Sequence, residues 1–194
     1  MNGVVVRGVV AVALAFAALG AVAQAVEVEG VKFEPTAQVG GAPLQLNGAG
    51  VRTRAIFKVY AAGLYVPQKT NAAAVLLGQK GPRRVAITML RNVDADTFSG
   101  ALSEGLQKNL SEAQFTGFKA QIDALSANFK AAGEAKKGDA IHLEFTPEAG
   151  TRVLVNGKQQ GSAIAGEDFY AALLRIWLGD KPVDADLKKS LLGT

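Results

Sequence analysis

Apolar and polar positions alternate with a period of two over several short stretches, and with a helical period over others. Val26 to Phe33 (VEVEGVKF) alternates and predicts a strand closed by Glu34-Pro35. A second strand is expected around Pro43 to Asn47, running into a small mobile turn, Gly48-Ala49-Gly50. Ala55 to Val66 (AIFKVYAAGLYV) is rich in β-branched and aromatic residues and predicts a long strand. Its alternation sets Phe57, Val59, Ala61, Gly63 and Tyr65 on one face, and Lys58, Tyr60, Ala62 and Leu64 on the other.

Thr70 is placed to cap a short helix reaching Leu77, with Gly78 as its stop. Arg83 to Leu90 predicts a strand, and Asp94 or Asp96 then starts a helix through Leu110. Ser111 and Gln114 form a capping box for the next helix. Its Phe115, Phe118, Ile122, Leu125 and Phe129 make one apolar stripe, whose regular period reads as core packing. Ala140 to Thr146, Arg152 to Asn156 and Lys158 to Ile164 predict a β-meander, with a strong hairpin signal at Asn156-Gly157. A helix from Gly166-Glu167-Asp168 to Leu178 follows, and Asp184 or Asp186 opens a last short one. Strands at both ends with two long helices between them predict an α+β fold.

The N-terminus has a different character. Arg7 precedes an apolar run from Gly8 to Leu19, and small residues follow in the A-x-A pattern. That is the layout of an export signal, cleaved after Ala23 or, as the favoured site, Ala25. The run is shorter than the roughly 20 residues that span a bilayer. A signal peptide over residues 1–25 and one domain over 26–194 are therefore expected. A Gram-negative periplasm suits both the signal and the lack of cysteine, and no stable membrane insertion is expected after cleavage.

A chain with no cysteine has no thiolate nucleophile, no cysteine–zinc site and no iron–sulfur cluster. The net charge of +4 is spread along the chain, without a stripe of basic and aromatic residues, so no nucleic-acid partner is expected. His142 is the lone histidine, in a strand and opposite to its apolar neighbours, which makes a zinc site or a Ser-His-Asp triad a poor fit. The pairs Asp94/Asp96 and Asp184/Asp186 stand where helices begin, and capping accounts for them.

Arg52 is the residue that suggests chemistry. A guanidinium is permanently charged and offers a rigid fork of donors to an oxyanion. Two readings stay open: pairing with a nearby acid, or anchoring an anion at an apolar pocket. Arg54, two residues on, faces the same side if the strand has begun, and is a second candidate.

Several segments, in order along nearly the whole chain after the signal, resemble the chalcone isomerase fold family, and in particular its exported bacterial branch. VEVEGVKFEP is similar to that family's first strand, LNGAGVR to its GGAG-x-R turn and KVYAAGLYV to its FTAIGVYLE strand. ITML followed by DADTFSGALSEGL is similar to the strand and helix lining its cleft, and LGDKPVDADLKKSLL to its C-terminal segment. The resemblance implies an open-faced β-sandwich: a large antiparallel sheet with helices on one face and a ligand cleft between them.

In the plant isomerases of that family the corresponding arginine steadies a substrate phenolate during ring closure, and Arg52 falls on that position. The ketone-polarising threonine is replaced by Tyr60, the cleft-helix tyrosine by Phe98 and the following asparagine by Gly105. The substrate-selecting pair near the C-terminus falls on Ile176 and Trp177. Only the arginine persists in type, and losing one oxyanion donor commonly costs ~2.7–4 kcal/mol of barrier. The resemblance thus implies a non-catalytic binding protein for a small apolar ligand with an acidic group, a fatty acid being the natural example. Arg52, Arg54, Tyr60, Phe98, Ile176 and Trp177 line its site, and no cofactor or metal is implied. The alternative is an isomerase of chalcone-like enones, with Arg52 and Tyr60 as oxyanion donors.

Overall fold

A computed structural model describes residues 24–194. The basic and apolar parts of the expected signal, and the cleavage site after Ala23, lie outside the described residues. From Val26 onward the chain forms nine strands and six helices. They begin with β1 (Val26–Val28), β2 (Val31–Phe33), β3 (Thr36–Val39), β4 (Ala42–Arg54), β5 (Phe57–Val66), α1 (Ala73–Gly78) and β6 (Arg83–Met89). Then come α2 (Ala95–Asn109), α3 (Glu112–Gly117), α4 (Lys119–Ala132), β7 (Ala140–Thr146), β8 (Gly150–Val155), β9 (Lys158–Ile164), α5 (Glu167–Leu178) and α6 (Ala185–Leu192).

Strands β3 to β9 form one seven-stranded antiparallel sheet whose spatial order is the chain order. Alternation sorts its side chains between two layers. Tyr60, Ala62, Leu64 and Val66 of β5 join the main core with Val85, Ile87 and Met89 of β6 and the buried faces of the helices. Ala61 and Tyr65 turn the other way, into a small cluster with Phe33, Leu44 and Leu46. The helices thus cover one face of the sheet, and the β1–β2 hairpin lids part of the opposite face. Helix α5 is apolar almost all round, from Phe169 to Leu178, because it runs through the middle of the main core.

Five expectations are corrected. The first predicted strand is a hairpin: Glu29 (φ 53°) and Gly30 (φ 75°) reverse the chain, and Val26 pairs with Phe33. The strand β3 was not foreseen; Gly40 and Gly41, both at positive φ, turn it back onto β4. The long apolar helix is broken at Phe118, whose ψ of 9° separates α3 from α4. Thr70 does accept the Ala72 N–H at 3.2 Å, but the helix cap is Ala72. The Ser111–Gln114 capping box and the caps by Asp94 and Asp184 form as the sequence predicts.

The fifth correction bears on the site. Gly48-Ala49-Gly50 is extended backbone inside β4, with Ala49 opposite Gly63 and Gly50 opposite Ala62. The glycines are small because α6 lies directly on them. A Cβ at Gly48 falls on the carbonyl oxygen of Ser190, and one at Gly50 comes within 2.5 Å of the Ser190 Cβ. Close approach of two backbones, not turn mobility, explains this motif. Gly48→Ala is expected to lower stability by about 1–3 kcal/mol through overpacking, read as the urea midpoint. Gly100→Ala, in α2 with open space around it, raises stability by roughly 0.5–1 kcal/mol in the same measurement.

Candidate functional site

Beyond the glycines, β4 continues to its hairpin with β5. Because β4 is extended to Arg54, Arg52 and Arg54 fall on one face, and Arg52 pairs in register with Tyr60. The register then slips, from Arg52 opposite Tyr60 to Thr53 opposite Lys58, and leaves Val59 as an extra residue. Such a bulge re-aims side chains, so the successive residues Val59 and Tyr60 both join the core under the helices.

A cavity of about 510 Å³ opens between this end of the hairpin, the segment after β6 and the first turns of α2. Its apolar wall is Phe57, Val59, Val93, Phe98 and Ala101; its cations are Arg52, Arg54 and Arg91. That size lies within the usual range for small-molecule sites, about 300–1,000 Å³. Phe98 is buried and packs on Phe129 at 5.0 Å between ring centroids, so it is a fixed wall. On the other side of Arg52 and Arg54 lies a more polar depression of about 220 Å³, bounded by Glu104, Lys108 and Lys181.

The Arg52 guanidinium stands 5.6 Å from the centroid of the Tyr60 ring, a cation–π contact that fixes its height above the core. Its Nε is buried and finds no acceptor. Among the described residues no carboxylate lies within 4.0 Å of Arg52, Arg54 or Arg91, which removes the acid-pairing reading of Arg52. The nearby Asp184 is already engaged: one oxygen accepts the Thr53 N–H at 2.9 Å, and the other caps α6. Lys108 holds the exposed Glu104 carboxyl below its ordinary range, and Arg54 and Arg52 add to the effect.

Tyr60, expected to line the site, lies behind Arg52 in the core and does not line the cavity. Its hydroxyl accepts a hydrogen bond of 2.9 Å from the Trp177 indole N–H, and 3% of the residue is exposed. Burial pushes its pKa up, against the pull of the Arg52 charge. Trp177 and Ile176, both on α5, are buried in the core beyond Tyr60 and likewise do not line the cavity. Ile176 packs against Gly105, where a Cβ would come within 3.0 Å of Ile176 Cγ2. A side chain at position 105 would press on Ile176 in the packing of α2 on α5. His142 sits on the opposite face of the sheet, 3.9 Å from Glu144. No group of three His, Cys, Asp or Glu among the described residues is placed to hold a metal.

The structure adds Arg91, Val93, Thr97, Ala101 and Glu134 to the cavity lining. One signal in the sequence bears on Arg91: it follows the end of an apolar strand and precedes the Asp94 cap, at the end of the sheet that carries Arg54. A model described as chalcone isomerase-like matches residues 25–193. The chain belongs to the chalcone isomerase-like family.

Among solved structures, this family member is similar to a fatty-acid binding protein of Arabidopsis thaliana. The two are 16% identical, the match covers 87% of this chain and 96% of that one, and the TM-score is 0.64. The likeness extends over the sheet and its helices and shows a shared fold. No curated protein matches the sequence.

Burial raises the pKa of all three tyrosines, Tyr60, Tyr65 and Tyr170. A raised phenol pKa means the folded state holds the proton more tightly than the unfolded chain, whose value is about 10. Stability from this source is therefore complete below pH ~10 and falls as pH rises above it. Phenolate absorbance of the native protein is expected to lag that of the urea-unfolded chain, and to rise together with alkaline loss of near-ultraviolet circular dichroism.

Proposed function

We propose that this protein binds a small amphiphile with an apolar body and an anionic head, without converting it, and that a fatty acid represents the ligand class. The observation that carries this reading is Arg52: a half-buried cation at an apolar cavity, with no carboxylate within 4.0 Å among the described residues. An oxyanion in the cavity exchanges water for a charge-assisted hydrogen bond with the outer nitrogens of this guanidinium. Arg54 and Arg91 add charge at the rim, while Phe98, Val59 and Val93 accept the tail. The fold shared with a plant fatty-acid binding protein supports the same class.

The isomerase alternative needs Tyr60 as a second donor to the substrate. Tyr60 is buried and lies outside the cavity lining, which favours binding over ring closure. The N-terminal pattern supports export to a periplasm, with the chain then starting at Val26; the intact mass of protein from a periplasmic extract tests the start.

Titration with long-chain fatty acids, followed by native mass spectrometry, is expected to give a one-to-one complex. Arg52→Ala should weaken it about 10- to 100-fold, the loss of a hydrogen bond to a charged group. Equal affinity of the two proteins overturns the role of Arg52, and no complex with either overturns the ligand class. Chalcone cyclisation followed by absorbance should run at the buffer-only rate; a faster rate restores the isomerase.

A further inference from the structure

The β4–β5 hairpin breaks the rule that the other hairpins of this protein obey. Tight reversals need a residue at positive φ, and glycine or asparagine meets that need at least cost. In or beside each of the other four reversals glycine takes at least one positive-φ position, at Gly30, at Gly40 and Gly41, at Gly150 and at Gly157, with Glu29 and Asn156 each directly before one. Between β4 and β5 the positive φ, 54°, falls on Ala55, and the next residue is the β-branched Ile56. Ile56 is 84% exposed and Phe57 beside it 53% exposed. Folding alone gives no reason to spend a strained turn on presenting two large apolar side chains to water, and such exceptions point to function.

Cations surround the tip. Arg54 and Lys58 flank it on the two strands, and the Arg91 guanidinium stands 4.7 Å from the centroid of the Phe57 ring. Lys58 also pairs with Glu29 at 2.7 Å; Asp94, at the cavity edge, is engaged as the α2 cap, and Glu134 is the remaining acid there. Ala55 and Phe57 are themselves part of the cavity wall, so whatever covers the tip faces the cavity mouth.

We propose that this hairpin tip docks the protein on an anionic membrane surface, with Ile56 and Phe57 entering the interfacial layer and Arg54, Lys58 and Arg91 meeting the lipid headgroups. Basic residues near an anionic leaflet are attracted to it, and the apolar pair gains by leaving water. A second copy of this chain is a poorer occupant, because a tip-to-tip contact brings like charges together. Two side chains also offer far less area than the roughly 1,000 Å² a stable protein interface needs. Docking stands without the ligand assignment; only its use for passing an amphiphile between bilayer and cavity rests on that assignment.

The test uses the protein recovered from a periplasmic extract, with vesicles of equal parts phosphatidylglycerol and phosphatidylcholine. Co-sedimentation is expected with these vesicles, and much less with pure phosphatidylcholine or at high salt. Ile56→Ser should weaken binding about tenfold while leaving the thermal midpoint and the fatty-acid affinity unchanged. In Ile56→Trp, the new indole should shift its emission to the blue on contact with anionic vesicles and be quenched by brominated lipid. Arg52→Ala should keep vesicle binding whatever it does to the ligand, so the two proposals fail separately. Equal co-sedimentation of wild type and Ile56→Ser overturns the docking, as does an indole at position 56 that vesicles leave unchanged. Self-association in solution that Ile56→Ser abolishes assigns the tip to a protein interface and overturns it as well.

Discussion

The contact between the backbone of α6 and the two glycines of β4 is the constraint on which the site depends. Side chains at Gly48 or Gly50 would push the C-terminal helix off the sheet, since its Ser190 lies where their Cβ atoms would be. With α6 seated, the Asn47 amide donates to the Leu191 carbonyl at 2.7 Å, and the Asp184 carboxylate accepts from Thr53. These bonds hold β4 extended past its glycines as far as Arg54. The alternation of an extended strand then sets both arginines on the cavity side. A cation placed by a strand pinned at both faces is more rigidly aimed than one carried on a loop, which is what selective binding of a small anion requires.

A second chain of contacts runs through the core. Helix α5 brings Trp177 under β5, its indole donates to Tyr60, and the Tyr60 ring supports the Arg52 guanidinium. None of these three groups is interchangeable with a smaller one without leaving a buried donor or an unsupported charge. The same arrangement explains why the hydroxyl at Tyr60 serves structure. The Arg52 charge and the indole N–H both favour its anion, and burial outweighs them to keep it neutral.

Periodicity and caps were legible in the sequence because they are local. The strands β5 to β9, the capping box at Ser111 and the caps at Asp94 and Asp184 follow from residues within a few positions of one another. What escaped depended on distant partners. The Gly48-Ala49-Gly50 motif has the composition of a turn, and only α6, about 140 residues away, shows why those residues are small. Gly105 looks like a lost functional side chain until Ile176 is placed against it. Trp177 and Ile176 prove to be support beneath the site, and Arg91 joins it from a loop that carries no periodic signal. The break at Phe118 was hidden because the apolar stripe continues on both sides of it.

The strictly sequential order of the sheet bears on how the chain reaches this structure. Every strand pair from β3 to β9 is joined by a short connection except two. The wider gap, between β6 and β7, separates paired residues by about 50 to 60 positions and holds three helices. The entropy of closing such a loop grows only logarithmically with its length, but it is spent before the pairing returns anything. Two locally zipped halves therefore have to meet along one seam. Across it Glu144, almost wholly buried, receives Arg84 Nε at 2.8 Å from β6 and Arg152 Nη2 at 3.0 Å from β8. A carboxylate gripped from both sides tolerates one alignment of the halves and penalises a slipped one, so this ionic clasp acts as a registration mark for the whole sheet.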